Sequence, residues 1–182
     1  MPWTDPKTWS PGETLTAANF NTHIRDNLNY VNTQHKYKTG DTSSTSTTLA
    51  NDPDLVWAVA ANEVWLVQTF LLIDSNPTAG YKCTWTVPSG ATIKWAGLMD
   101  IAGTGIFWMG DTNSSGTALK NATETQTYAS AAAASVWGVQ INGIVTVSTT
   151  AGNVQFQFAQ GTASGTTITK AGSLLIAHRV ST

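Results

Sequence analysis

The chain has 182 residues, enough for one medium domain with an appendage and for a real hydrophobic core. Charged residues are only 11% against the roughly 25% usual for a soluble domain, and the formal net charge is −2. No basic run exists, which excludes a nonspecific nucleic-acid binder; a surface of Thr, Ser, Asn, Gln, Ala and Gly suits a protein packed within an assembly.

Residues 1–15 read as an extended arm. Pro2, Pro6 and Pro11 withhold the N–H donors a helix needs. Trp3 and Trp9 are aromatic anchors that so short a segment cannot bury alone, so the arm is expected against the helix, a sister copy or another protein. The opening MPWTDPKTW has neither the basic nor the apolar region of a secretory leader, so the protein is expected to be made in a cytoplasm and not secreted by the usual route. A helix is predicted from Thr16, whose hydroxyl can cap the first turn while Leu15 and Phe20 form a hydrophobic staple. Phe20, Ile24, Leu28 and Val31 then fall on one apolar stripe, with Asn19, Thr22, Asp26 and Asn29 opposite. Such a helix is marginal alone and must pack on its own domain, on sister chains or on a partner. Residues 36–48, KYKTGDTSSTSTT, read as a flexible or extended linker. The expected organisation is an anchoring arm and helix at 1–35, a linker at 36–48 and a β domain at 49–182.

From Leu49 the signal is β. Strands are predicted near 54–59, 64–73, 80–87, 91–97, 104–109, 134–141, 143–149, 153–160 and 173–180, separated by Gly, Asn and Ser clusters. The run Val64–Ile73 is apolar on both faces, as in a strand inside a two-layer stack. It is too short to span a bilayer and is interrupted by Gln68 and Thr69. Val154, Phe156 and Phe158 alternate with Gln155 and Gln157, which puts the apolar set inside and the glutamines toward solvent. Trp57, Trp65, Trp85 and Trp137 are expected in the core, and Cys83 is expected as a buried, inert thiol. The patch ASAAAAS at 129–135 reads as a loop. The fold class is mostly β: an antiparallel jelly-roll sandwich preceded by an arm and one helix.

Catalytic chemistry is not legible. His23, His35 and His178 have no metal-motif spacing, and no G-x-S-x-G elbow or phosphate-cradling loop occurs. Nothing sets two of the few carboxylates (Asp52, Asp54, Glu63, Asp74, Asp100, Asp111, Glu124) across a cleft, as a glycosidase needs. No catalytic residue, metal or cofactor is expected. Phe107 and Trp108, in the loop-rich stretch between Asp100 and Asp111, are the candidate tip-loop contact for a sugar; the plainer reading is a loop packed by its own aromatics.

The N-terminal stretch resembles a recurrent opening of bacteriophage virion proteins, W-x-x-G-E-x-L-T-A-A-x-x-N-x-H-I-R-D-N-L. It is carried here by Trp9, Gly12, Glu13, Leu15, Thr16, Ala17, Ala18, Asn21, His23, Ile24, Arg25, Asp26, Asn27 and Leu28. The runs Gly143–Val147, Gly152–Gln160 and Ala171–Val180 resemble the closing strands of phage tumour-necrosis-factor-like jelly rolls, G-x-V-x-x-x-F-A-Q followed by x-G-S-x-L-x-A-x-R-[VI]. The resemblance covers both ends of the chain; residues 75–140 match only in strand-like character.

The resemblance implies a homotrimer of jelly rolls around a threefold axis, attached to the virion by the N-terminal segment. Trp3, Trp9, Leu15, Phe20, Ile24, Leu28 and Val31 would then contact the virion or sister subunits. The partners would be two further copies and the major capsid protein or another virion protein, with no nucleic acid and no membrane insertion. Two functions fit: a non-enzymatic capsid decoration protein (cement or head-fibre type) with its β domain outward, or a tail fibre or tail-tip protein binding a host surface glycan.

Overall fold

The computed structural model describes residues 4–31, 33–76, 78–101, 105–109, 120–121, 125–128 and 136–181, without the side chains of 99–101, 105–109 and 126–128. The helical segment runs through α1 (Ala17–Phe20), a π-helical turn (Asn21–Arg25) and α2 (Asp26–Val31). Thirteen strands follow among the described residues: β1 (Gln34–Tyr37), β2 (Thr42–Ser44), β3 (Ala50–Val59), β4 (Val64–Ser75), β5 (Tyr81–Thr86), β6 (Thr92–Ile101), β7 (Gly105–Met109), β8 (Lys120–Asn121), β9 (Gln126–Tyr128), β10 (Trp137–Thr146), β11 (Gly152–Gln160), β12 (Thr167–Thr169) and β13 (Leu174–Ser181). They form two antiparallel sheets. The first runs β1-β13-β4-β10-β6-β7, with β12 joining β2 to β4 and β8 on β6; the second runs β3-β11-β5-β9.

Alternation decides which face is inside. On β4, Trp65, Val67, Leu71 and Ile73 are buried; on β11, Val154, Phe156 and Phe158 are buried. These sets meet in one core with Leu55, Trp57, Trp85, Trp95, Trp137, Val139 and Ile141. Trp85 lies edge-on to both Trp57 (5.9 Å) and Phe156 (5.0 Å), and Tyr81 stacks on Phe158 at 5.6 Å. Burial pushes the Tyr81 hydroxyl pKa well above its ordinary value, and that hydroxyl bonds Thr169 Oγ1 at 2.7 Å. Cys83 is buried on β5, as its strand-like surroundings suggest.

Several expectations need correction. The stretch 36–48 is no linker: β1 pairs with β13 from Gln34↔Ala177 to Tyr37↔Leu174, and β2 pairs with β12. Between them Lys38 is fully buried, its Nζ 3.0 Å from the buried Asp52 carboxylate, 2.9 Å from Asp54 Oδ2 and 2.5 Å from Thr42 Oγ1. The segments 134–141 and 143–149 are one strand, β10, from Trp137 to Thr146. Gly143 lies within that strand at a close approach to β6; a Cβ at that position would sit 3.0 Å from Trp95 Cβ and 3.1 Å from Lys94 O. Gln155 does not simply face solvent. The register of β11 on β3 shifts between Gln155↔Val56 and Gln157↔Asn51, so β3 bulges around Pro53. The Gln155 amide fills this bulge, donating to Asp52 O (2.7 Å) and Phe156 O (3.0 Å). The patch 129–135 lies outside the described residues.

Candidate functional site

The N-terminal segment is shaped by its polar residues. Pro11 and Gly12 occupy the centre of a turn closed by Glu13 N donating to Ser10 O at 3.1 Å, with Gly12 at φ +83°. That combination is what a turn with a left-handed third residue demands. Glu13 reaches back to accept from Ser10 N (3.2 Å) and pairs with Lys7, and both hydrogen bonds hold its carboxyl below the ordinary range. The Lys7 ammonium stands 4.9 Å from the centre of the Trp9 ring. Thr16 Oγ1 accepts from Asn19 N at 3.2 Å, the N-cap expected there.

Asn27 then ties the arm to the helix. Its Nδ2 donates to Thr4 O at 2.7 Å and its Oδ1 accepts from Thr4 N at 3.1 Å, the two bonds a strand neighbour would make. One turn earlier, His23 Nδ1 lies 3.0 Å from Asp5 O. Asp26, expected opposite the apolar stripe, and Asn27 are the buried residues of the helix, and Arg25 Nε bonds Asp26 Oδ1 at 2.8 Å.

A second contact fixes the helix on the β body. Arg179 on β13 donates from Nη1 to Glu63 Oε1 and from Nη2 to Asn29 O, both at 2.7 Å. Its guanidinium lies 4.9 Å from the Tyr30 ring centre, and Thr33 Oγ1 is 3.1 Å from His178 Nδ1. Glu63 also accepts from Ala60 N (2.7 Å) and Trp65 Nε1 (2.9 Å). Burial raises the Glu63 pKa, but Arg179, Ala60 and Trp65 together outweigh it and leave the carboxyl below its ordinary value.

With the polar groups turned inward to these bonds, the apolar residues remain outward. Leu15, Phe20, Ile24, Leu28 and Val31 are all exposed, Leu28 by 63%. Ile24, Leu28 and Val31 join Pro6, His23 and Asn27 around a notch of about 260 Å³ between arm and helix. Five large apolar side chains are thus left in water on one short segment, an exposure more concentrated than the scattered apolar residues of an ordinary surface. Of the expected anchors, Trp9 is half-buried in the Lys7–Glu13 turn and Trp3 lies outside the described residues. Phe107 and Trp108 are not on a tip loop. They sit on edge strand β7, opposite Met99 and Leu98.

Sequence reading missed Pro6, Tyr30, Glu63 and Arg179 as participants, although the four-residue spacing of His23 and Asn27 was a signal that one helix face carries polar work. Among the described residues, no three His, Cys, Asp or Glu side chains cluster as metal ligands would, and no helix is long and apolar enough to cross a membrane. No protein-family model matches the chain. No curated protein matches it either.

Proposed function

We propose that this chain is a non-enzymatic structural protein of a bacteriophage virion: a homotrimeric capsid decoration protein held by its N-terminal segment, with the β domain displayed outward. The observation that carries this is the division of labour within the virion-like motif. Gly12, Glu13, Thr16, His23 and Asn27 serve internal turns, caps and ties, while Leu15, Phe20, Ile24 and Leu28 are left exposed. Burying such residues at roughly 25 cal/mol per Å² would supply several kcal/mol per chain, and a trimer would multiply the effect through effective concentration.

The strand order supports the jelly-roll reading. Leaving out the short β2, β8 and β12 and the β6–β7 hairpin, eight strands remain: β1, β3, β4, β5, β9, β10, β11 and β13. They lie as first-eighth-third-sixth in one sheet and second-seventh-fourth-fifth in the other, the order of two nested Greek keys.

The test is the protein composition of purified particles carrying wild-type chain or the Ile24→Lys, Leu28→Lys double variant. Wild-type chain in fixed ratio to the major capsid protein, with the variant lost from particles, is expected. A few tens of copies per particle would favour the tail fibre, with a host surface glycan as its partner. Full incorporation of the variant would overturn attachment through the helix.

A further inference from the structure

Lys38 is fully buried, where an ammonium is rarely placed. Its backbone is held from both sides: Lys38 N donates to Ser173 O at 2.9 Å, and its carbonyl accepts from Gly172 N at 2.8 Å. The side chain runs to Asp52, also fully buried, whose own carbonyl accepts from Gln155 Nε2 at 2.7 Å. Lys38 Nζ stands 3.1 Å from Asp52 Oδ1 and 3.0 Å from Oδ2. It thus straddles the carboxyl and comes within about 3.5 Å of the carbon between the two oxygens, a near-attack separation.

The two oxygens differ. Oδ1 accepts from two backbone donors, Asp54 N at 3.0 Å and Leu55 N at 3.2 Å. Oδ2 is buried and, among the described residues, receives no hydrogen bond. A second carboxylate oxygen, Asp54 Oδ2, lies 2.9 Å from the same Nζ. A buried ion pair that was only structural would have its lone pairs satisfied on both oxygens. Here a nitrogen faces a carboxyl carbon, paired N–H groups hold one oxygen, and a proton acceptor touches the nitrogen. Those are the parts of an acyl-transfer site.

We infer that Lys38 and Asp52 join through an amide bond made by the folded chain itself, with Asp54 carrying a proton. A low-dielectric site penalises separated charges, so the first stage is transfer of one proton from the ammonium to Asp52 Oδ2. This leaves an amine and a neutral acid. The nitrogen lone pair attacks Cγ, and the C–Oδ1 π pair moves onto Oδ1 between the Asp54 and Leu55 N–H groups. Asp54 takes a second proton from the nitrogen and returns it to Oδ2 as the Cγ–Oδ2 bond breaks. The products are one amide, which keeps the third nitrogen proton, and one water; both original charges are consumed and no other reactant is needed. Pro53 has no N–H, so Asp52 cannot lose water by closing on the residue after it. The bond ties the segment after β1, in the first sheet, to β3, in the second. It forms from the folded ion pair, so the energetics of that buried pair apply to the chain before closure.

Intact-mass spectrometry of the full chain, held folded at neutral pH and then denatured, tests this. Wild type should come to its sequence mass less one water, and a peptide map should recover residues 38 and 52 in one branched species. Lys38→Met should keep its full mass. Asp52→Asn retains the carbon and should lose ammonia instead of water. Asp54→Asn should close about a hundredfold or more slowly, the usual reach of a positioned proton carrier. Wild type still at full mass after days overturns the inference whatever the variants do. So does a branch at any other pair of residues, a water lost from Lys38→Met, or water in place of ammonia lost from Asp52→Asn. An unchanged rate in Asp54→Asn overturns the role of Asp54 alone.

Discussion

Replacing Lys38 by Met should be among the most damaging single changes outside the aromatic core. Met keeps the length and most of the volume, so little cavity forms. What is lost is the cation: Lys38 and Asp52 are both fully buried, and the ammonium contacts Asp52, Asp54 and Thr42 at 2.5–3.1 Å. The Asp52 carboxylate would keep its bonds from Asp54 N (3.0 Å) and Leu55 N (3.2 Å) but would stand as an uncompensated buried charge. Removing one partner of such a pair costs about 3–5 kcal/mol. For a domain of this size each kcal/mol moves Tm by roughly 2–4 °C, so a fall of about 6–20 °C is expected. Asp54 is 38% exposed, and Asp54→Asn should cost less than about 1 kcal/mol. Thermal and urea denaturation of both variants, at one protein concentration because the chain is expected to self-associate, measure this. A loss below about 1 kcal/mol for Lys38→Met, or equal losses for the two variants, would refute the reasoning that burial sets the magnitude.

Phe156→Ala should cost about 3–5 kcal/mol by opening a cavity between Trp85 and the rest of the core; Gln155→Ala should cost about 1–3 kcal/mol because it strands carbonyls in the β3 bulge, and a neutral result would show that water replaces the amide. Gly143→Ala should destabilise by about 1–3 kcal/mol, since Trp95 Cβ and the Lys94 carbonyl would have to give way by a few tenths of an ångström; unchanged denaturation would mean that β10 and β6 adjust freely. Glu63 has its folded pKa held below the ordinary 4.5, so its contribution is present above that value and lost as pH falls through the folded one. Glu63→Gln should therefore trail wild type most at neutral pH and converge with it in acid, and a gap independent of pH in urea titrations would remove the ion pair from the account.

Much of the β body was legible because period-two alternation is long and clean in Val154–Phe158 and in the hydrophobic run of β4. The Thr16 cap was legible from local chemistry alone. The linker was misread because KYKTGDTSSTSTT has the composition of a flexible segment, and composition does not report that Lys38 finds Asp52 fourteen residues on. The break drawn between 134–141 and 143–149 was misread for a related reason: Asn142 followed by Gly143 interrupts the apolar pattern in one dimension, while β10 runs through both. The exposed stripe Phe20, Ile24, Leu28 and Val31 was drawn correctly, but not that Asn27 and His23 would seat the arm beside it. Arg179 lies 150 residues from Asn29, and no local pattern joins them.

That long-range clamp has a consequence for synthesis. The helix is synthesised well before β13, yet its seat is made by that strand: β1 pairs with β13, and Arg179 holds the carbonyl of Asn29. Nothing earlier in translation supplies that partner, because the loop to be closed spans nearly the whole chain. A chain released before β13 would carry the helix with no fixed direction. The direction the helix takes is thus settled only once β13 has been made, by geometry alone.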